Sequence, residues 1–171
     1  MVKAGLAYAR YGSRWPPAAP QADLRIHVGA IAGRSRSRSS RLLLIYVDSS
    51  VVLAHLLMEE RRPPASFWEQ TSVSNRLVEY EVWNRILARG LGHSHREEVR
   101  ASLAKIEMIE LTHRSLRRAL EPFPVGVRTL DALHLVTMDL SAMATKSVRL
   151  ASYDNRLIAA AQALGFTLAV L

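Results

Sequence analysis

The chain has 171 residues, nearly half of them hydrophobic and none of them cysteine. That is enough for one domain with a real core, and it excludes disulfides, thiolate metal sites and a cysteine nucleophile. The net charge of +8 suggests a nucleic-acid partner, but residues 1–41 hold eight cations against the single acid Asp23, so seven of the eight net charges lie there and residues 42–171 are close to neutral.

Residues 1–41 show no sustained hydrophobic period. "WPPAAP" and "GRSRSRSSR" are rich in breakers and charge, which predicts disorder or loose attachment. This stretch lacks the uninterrupted apolar core of a secretory signal. It reads as a basic extension, or as upstream sequence outside the native start, with the folded domain over 42–171.

From Leu42 the pattern changes. "RLLLIYVDSS" is an apolar run of strand length, as in a parallel strand covered on both faces. "VVLAHLLMEE" follows as a helix that Ser49 or Ser50 would cap, and "RRPP" breaks it. "TSVSN" reads as a short strand, then a helix from about Ser74 to Arg89 stops at Gly90 and Gly92. "HSHREEVRASLAKI" is a polar-faced helix, "EMIEL" a strand, and "THRSLRRALEPF" a helix ended by Pro122 and Pro124. "RTLDALHLVTMDLSAM" is a helix with Thr129 at its N-cap. "SVRLASYD" is a strand, "NRLIAAAQALG" a helix closed by Gly165, and "FTLAVL" a last strand. The alternation predicts an α/β fold, a three-layer α/β/α sandwich around a mostly parallel central sheet. No apolar run is long enough to span a bilayer.

Ligands of open α/β sheets bind at the carboxyl ends of the strands. Asp48 and Asp154 each end a strand, Asp131 lies in the first turn of its helix, and Glu81 shares part of the apolar face of the 74–89 helix. Each acid alone has an ordinary reading. Asp48 and Asp154 suit helix N-caps, Asp131 complements a helix dipole, and Glu81 can pair with Arg85. Together they would repel one another, and a divalent cation bound by oxygen, Mg²⁺ or Mn²⁺, would relieve that repulsion. Glu79 falls on another face and reads as solvated. His134 reads as packed or solvated and is left out of the site. Arg76, Arg85, Arg89, Arg128 and Arg156 flank the acids as candidate phosphate contacts, although each alone reads as a surface arginine.

Four segments in order resemble the PIN-domain ribonucleases, specifically the VapC-type toxins of type II toxin–antitoxin systems. They are "YVDSSVVLAHLL" (46–57), "SNRLVEYEVWNRI" (74–86), "RTLDALHLVT" (128–137) and "SYDNRLIAAAQALGF" (152–166). The resemblance implies an Mg²⁺- or Mn²⁺-dependent endoribonuclease acting in the cytoplasm. Asp48, Glu81, Asp131 and Asp154 would be its catalytic and metal-holding acids, with Ser50 orienting Asp48. It also implies an RNA substrate, a VapB-type antitoxin docked near residues 51–70 and the Trp83 helix, and a homodimer. The alternative is a PIN-like module that binds RNA or protein without catalysis. A phosphate-receiver domain fits less well, because no acid pair precedes Asp48.

Overall fold

The computed structural model describes residues 43–145 and 147–171, so the expectations for residues 1–41 lie outside the described residues. The elements run β1 (Leu44–Val47), α1 (Ser49–Leu56), a 3₁₀ turn (Ala65–Glu69), β2 (Ser72–Asn75), α2 (Leu77–Ala88), α3 (Arg96–Leu103), β3 (Ile106–Ile109), α4 (His113–Ala119), α5 (Thr129–Thr145), β4 (Val148–Ala151), α6 (Asn155–Ala163) and β5 (Thr167–Leu168). The five strands form one sheet in the order β3-β2-β1-β4-β5, with every pairing parallel.

The all-apolar β1 occupies the centre, as a strand buried on both faces must. Its residues alternate between two cores. Ile45 and Val47 pack with Val51 and Val52 of α1, Val82 and Ile86 of α2, and Val99 of α3. Leu44 and Tyr46 pack with Leu135 and Met138 of α5, Leu157 of α6 and Leu150 of β4. The sheet therefore lies between two helical layers, the expected sandwich. No helix among the described residues is long and apolar enough to cross a membrane.

Several local expectations are corrected. The cap of α1 is Asp48, whose carboxylate accepts from the Ser50 amide, and not Ser49 or Ser50. The same helix ends at Leu56, short of "MEE", because Met58 turns to a φ of 52°. Ser74 and Asn75 belong to β2, paired with Met108 and Ile109, and α2 starts at Leu77 because the Asn75 side chain accepts its amide proton at 3.1 Å. Helix α5 already includes Thr129. The amide of Ala132 bonds the Arg128 carbonyl, which makes Arg128 the cap position. The 3₁₀ turn was not expected; it inserts the buried Phe67 into the α1-side core. β5 pairs over only two residues, Thr167 and Leu168.

Leu150 is fully buried on β4 beside β1. Leu150→Ala should cost about 3 kcal/mol of unfolding free energy, measurable as a lower urea midpoint with unchanged slope.

Candidate active site at the strand switch point

β1 has β2 on one side and β4 on the other, so the chain reverses its lateral direction about β1. The carboxyl ends of β1 and β4 diverge into crossovers on opposite faces and leave a crevice between them. Asp48 follows β1 directly, and Ser152, Tyr153 and Asp154 follow β4. The Asp48 amide bonds the Ala151 carbonyl at 3.0 Å and extends the ladder to the crevice.

Asp48 is buried. Its described hydrogen bonds converge on Oδ2, which accepts from the Ser50 amide at 3.2 Å, from the Ser50 hydroxyl, and from the Ser152 hydroxyl at 2.9 Å. Three donors on one oxygen hold the carboxylate in a single rotamer. Ser50 Oγ also accepts from the Tyr153 amide at 2.9 Å, and Ser152 Oγ accepts from the Asp154 amide at 3.0 Å. The two strand-end turns are thus tied together by two hydroxyls. Ser152 was missed in the sequence; its only signal is its place at a strand end, two residues before an acid.

Asp154 caps α6, with Oδ1 accepting from the Arg156 amide at 2.8 Å. The ordinary reading of Asp48 and Asp154 as caps therefore holds together with their place at the crevice. A cap engages one carboxylate oxygen and leaves the other. Asp131, in the first turn of α5, has its pKa raised by partial burial first and then by the charges of Asp154 and Asp48, against the opposing pull of His134 and a backbone hydrogen bond at Arg128. The three aspartates share one electrostatic field.

Glu81 does not pair with Arg85. Its Oε2 lies 3.1 Å from His134 Nε2. His134 is 1% exposed, and its Nδ1 meets the Tyr46 hydroxyl at 3.0 Å. Burial alone would depress the His134 pKa, but the Glu81 hydrogen bond and the charges of Glu81, Asp48 and Asp131 outweigh it and hold the pKa above its ordinary value. His134 is packed, as expected of an apolar-face histidine, yet it also touches the site. The signal for it was its position three residues after Asp131, on the same side of α5. Glu79 is elsewhere, on the surface with Arg76 at 3.2 Å.

One atom each of Asp48, Glu81 and His134 lie within 4.8 Å of one another, a spacing that suits a metal ion. The compact trio thus takes in His134, while Asp131 and Asp154 are more exposed than Asp48. The donor set fits a hard divalent cation. Anionic oxygens dominate it, and the Asp131 pKa is raised first by burial and then by the charges of Asp154 and Asp48, which a cation would offset.

A family model for the PIN domain matches residues 45–167, a span that contains Asp48, Glu81, Asp131 and Asp154. The chain belongs to the PIN-domain family. It is also 32% identical over 124 residues to Ribonuclease VapC46 of Mycobacterium tuberculosis, an alignment covering 71% of this chain and 92% of that protein. The family read from the four sequence segments is the family found.

The Asp131 carboxyl is harder to ionise in the fold than in the unfolded chain. Below the ordinary aspartate range both states are protonated and nothing is lost. As pH rises through the raised folded pKa, native stability declines. Asp131→Asn, in EDTA, should remove that decline and leave Tm at pH 7 equal to or above wild type, while the Tm gain on adding Mn²⁺ should shrink. Thermal melts between pH 4 and 7 test both.

Proposed function

We propose that this PIN-domain chain is the toxin of a type II toxin–antitoxin system, a metal-dependent endoribonuclease whose catalytic and metal-holding acids are Asp48, Glu81, Asp131 and Asp154. The observation that carries the reading is the convergence of Asp48, Asp131 and Asp154 at the strand switch point of a PIN domain, with Glu81 brought to the same place from α2. The relative's name, Ribonuclease VapC46, supports the activity and the class.

Mg²⁺ or Mn²⁺ bound there would polarise the scissile phosphate and lower the pKa of an attacking water. The protein's own part is positional. Ser50 and Ser152 fix Asp48, leaving its second oxygen for the crevice. Asp131 and Asp154 add negative charge at the more open side. Asp48 and Glu81 lie close enough together to share an ion, which supports their part in the ligand set.

The RNA substrate needs cations near the acids. Arg76 is engaged with Glu110 at 2.6 Å and Glu79 at 3.2 Å. The exposed Arg128, beside Asp131, is the better phosphate contact; Arg156 is also exposed but lies 3.7 Å from Asp154 Oδ1. Such contacts position the backbone without reading sequence.

A VapB-type antitoxin is the proposed partner, and a homodimer the proposed assembly. Of Trp68 and Trp83, Trp68 packs at a tilt against His55 and edge to face against Phe67, with Lys105 above it. Trp83 is half-buried and lines an open groove of about 550 Å³ with Arg76, Arg100, Leu103 and Met108. That groove is the better docking surface for an amphipathic segment.

Full-length protein should cut RNA with Mg²⁺ or Mn²⁺ and not with EDTA. Asp131→Asn should lower kcat by about 100-fold or more with an unchanged circular dichroism spectrum. Equal cleavage by wild type and variant would refute the site. Metal-independent inactivity of both, with RNA binding retained, would favour the non-catalytic module.

A further inference from the structure

The nuclease reading uses Glu81 but leaves unexplained why a buried histidine and a buried tyrosine stand behind it. Tyr46 is 0% exposed and His134 1% exposed. The Tyr46 hydroxyl accepts from the Asn75 amide at 3.2 Å and meets His134 Nδ1 at 3.0 Å, and the two rings stand edge to face with centroids 5.9 Å apart. His134 Nε2 then reaches Glu81 Oε2 at 3.1 Å. Four elements contribute: β1 gives Tyr46, β2 gives Asn75, α5 gives His134 and α2 gives Glu81. A buried polar chain of this kind is costly unless every member is paired, and here it ends on the one acid of the set that comes from a helix on the far side of the sheet from α5.

We infer that His134, braced by Tyr46, is a positioning residue that fixes the rotamer of Glu81, so that the Glu81 carboxylate faces Asp48 across the crevice. The inference rests on the proposed metal-dependent nuclease only for its activity readout.

The alternative role for His134 is direct ligation, since its ring lies in the compact trio. The hydrogen bonds argue against it. A carboxylate oxygen accepts, so Nε2, 3.1 Å from Glu81 Oε2, carries the proton of a neutral ring and leaves Nδ1 to accept from the Tyr46 hydroxyl. A charged ring carries protons on both nitrogens. In either state Nε2 donates to the carboxylate and has no lone pair for a cation. The arrangement is that of an outer partner orienting a ligand. Glu81 is less buried than His134, its side chain 17% exposed against 2%. Without its partner the carboxylate would have room to turn toward solvent.

The test measures Mn²⁺ affinity by titration calorimetry on the full-length protein, alongside kcat and KM for RNA cleavage. His134→Ala should weaken Mn²⁺ binding by about tenfold, and Tyr46→Phe should weaken it in the same direction by less. His134→Gln, whose amide nitrogen falls near the Nε2 position, should restore most of the affinity. Kcat should fall with KM for RNA unchanged. Glu81→Gln combined with His134→Ala should bind Mn²⁺ no more weakly than Glu81→Gln alone, because the histidine acts only through the glutamate.

Additive losses in the double variant would overturn the inference and make His134 an independent ligand. Wild-type affinity in a folded His134→Ala would overturn it too. If His134→Ala does not fold, Tyr46→Phe and His134→Gln decide. Wild-type affinity and kcat in Tyr46→Phe, or no recovery in His134→Gln, would count against it. A wild-type protein that binds Mn²⁺ with the expected pattern among variants but cuts no RNA would sink the nuclease reading and leave the positioning role standing.

Discussion

The parallel pairing of β1 with β2 on one side and β4 on the other is the constraint from which the site follows. It puts the end of β1 next to the end of β4, four paired positions in register from Leu44 and Val148 to Val47 and Ala151. The next residue along β1 is Asp48, and the next along β4 is Ser152, which donates to it. A slip of one residue would turn the alternating side chains of β1 to the wrong faces. Ile45 and Val47 would leave one core, Leu44 and Tyr46 the other, and the crevice would lose its geometry with them.

The buried interface between β2 and α5 carries several polar groups. Ser72, Ser74 and Asn75 on β2, and His134, Thr137 and Ser141 on α5, are all buried. Each described group has work. Ser74 Oγ donates to the Val47 carbonyl at 2.7 Å, Thr137 Oγ1 to the Leu133 carbonyl at 2.8 Å, and Ser141 Oγ to the Thr137 carbonyl at 2.7 Å. An unpaired buried polar group costs on the order of 1–3 kcal/mol, so this network is tolerable only because it is satisfied. Its gain is rigidity under the acids. The Tyr46 hydroxyl is held firmly protonated by burial, its pKa pushed far above the ordinary phenol range despite the opposing hydrogen bonds. It can therefore serve as a fixed neutral partner at neutral pH.

Above that floor lies a deliberate electrostatic conflict. Asp131 is raised by its own partial burial and by Asp154 and Asp48. The hydroxyl and amide donors around Asp48 and the N-terminus of α6 behind Asp154 ease the conflict without removing it. A fold optimised for stability alone would not crowd these charges. Crowding of this kind is common at functional sites.

Much of this was legible in order along the chain. The apolar run at 42–47, the alternation of strands and helices, and the acids at strand ends predicted the sandwich, the parallel sheet and the edge at which the acids meet. Those features rest on local periodicity and on the rule that parallel strands present their carboxyl ends together. Boundaries moved where a side chain overrode propensity, as with Asp48 taking the cap of α1 and Asn75 accepting the first amide of α2. What the sequence could not decide is which long-range partner each polar group finds. Glu81 had Arg85 four residues away, the natural helical pair, yet it faces His134 across 53 positions. Ser152 had no visible task until β4 lay beside β1, 104 positions from Asp48. Periodicity assigns a residue to a face. Only tertiary packing chooses its neighbour, because hydrogen bonds between distant segments depend on register and helix placement that no local pattern encodes.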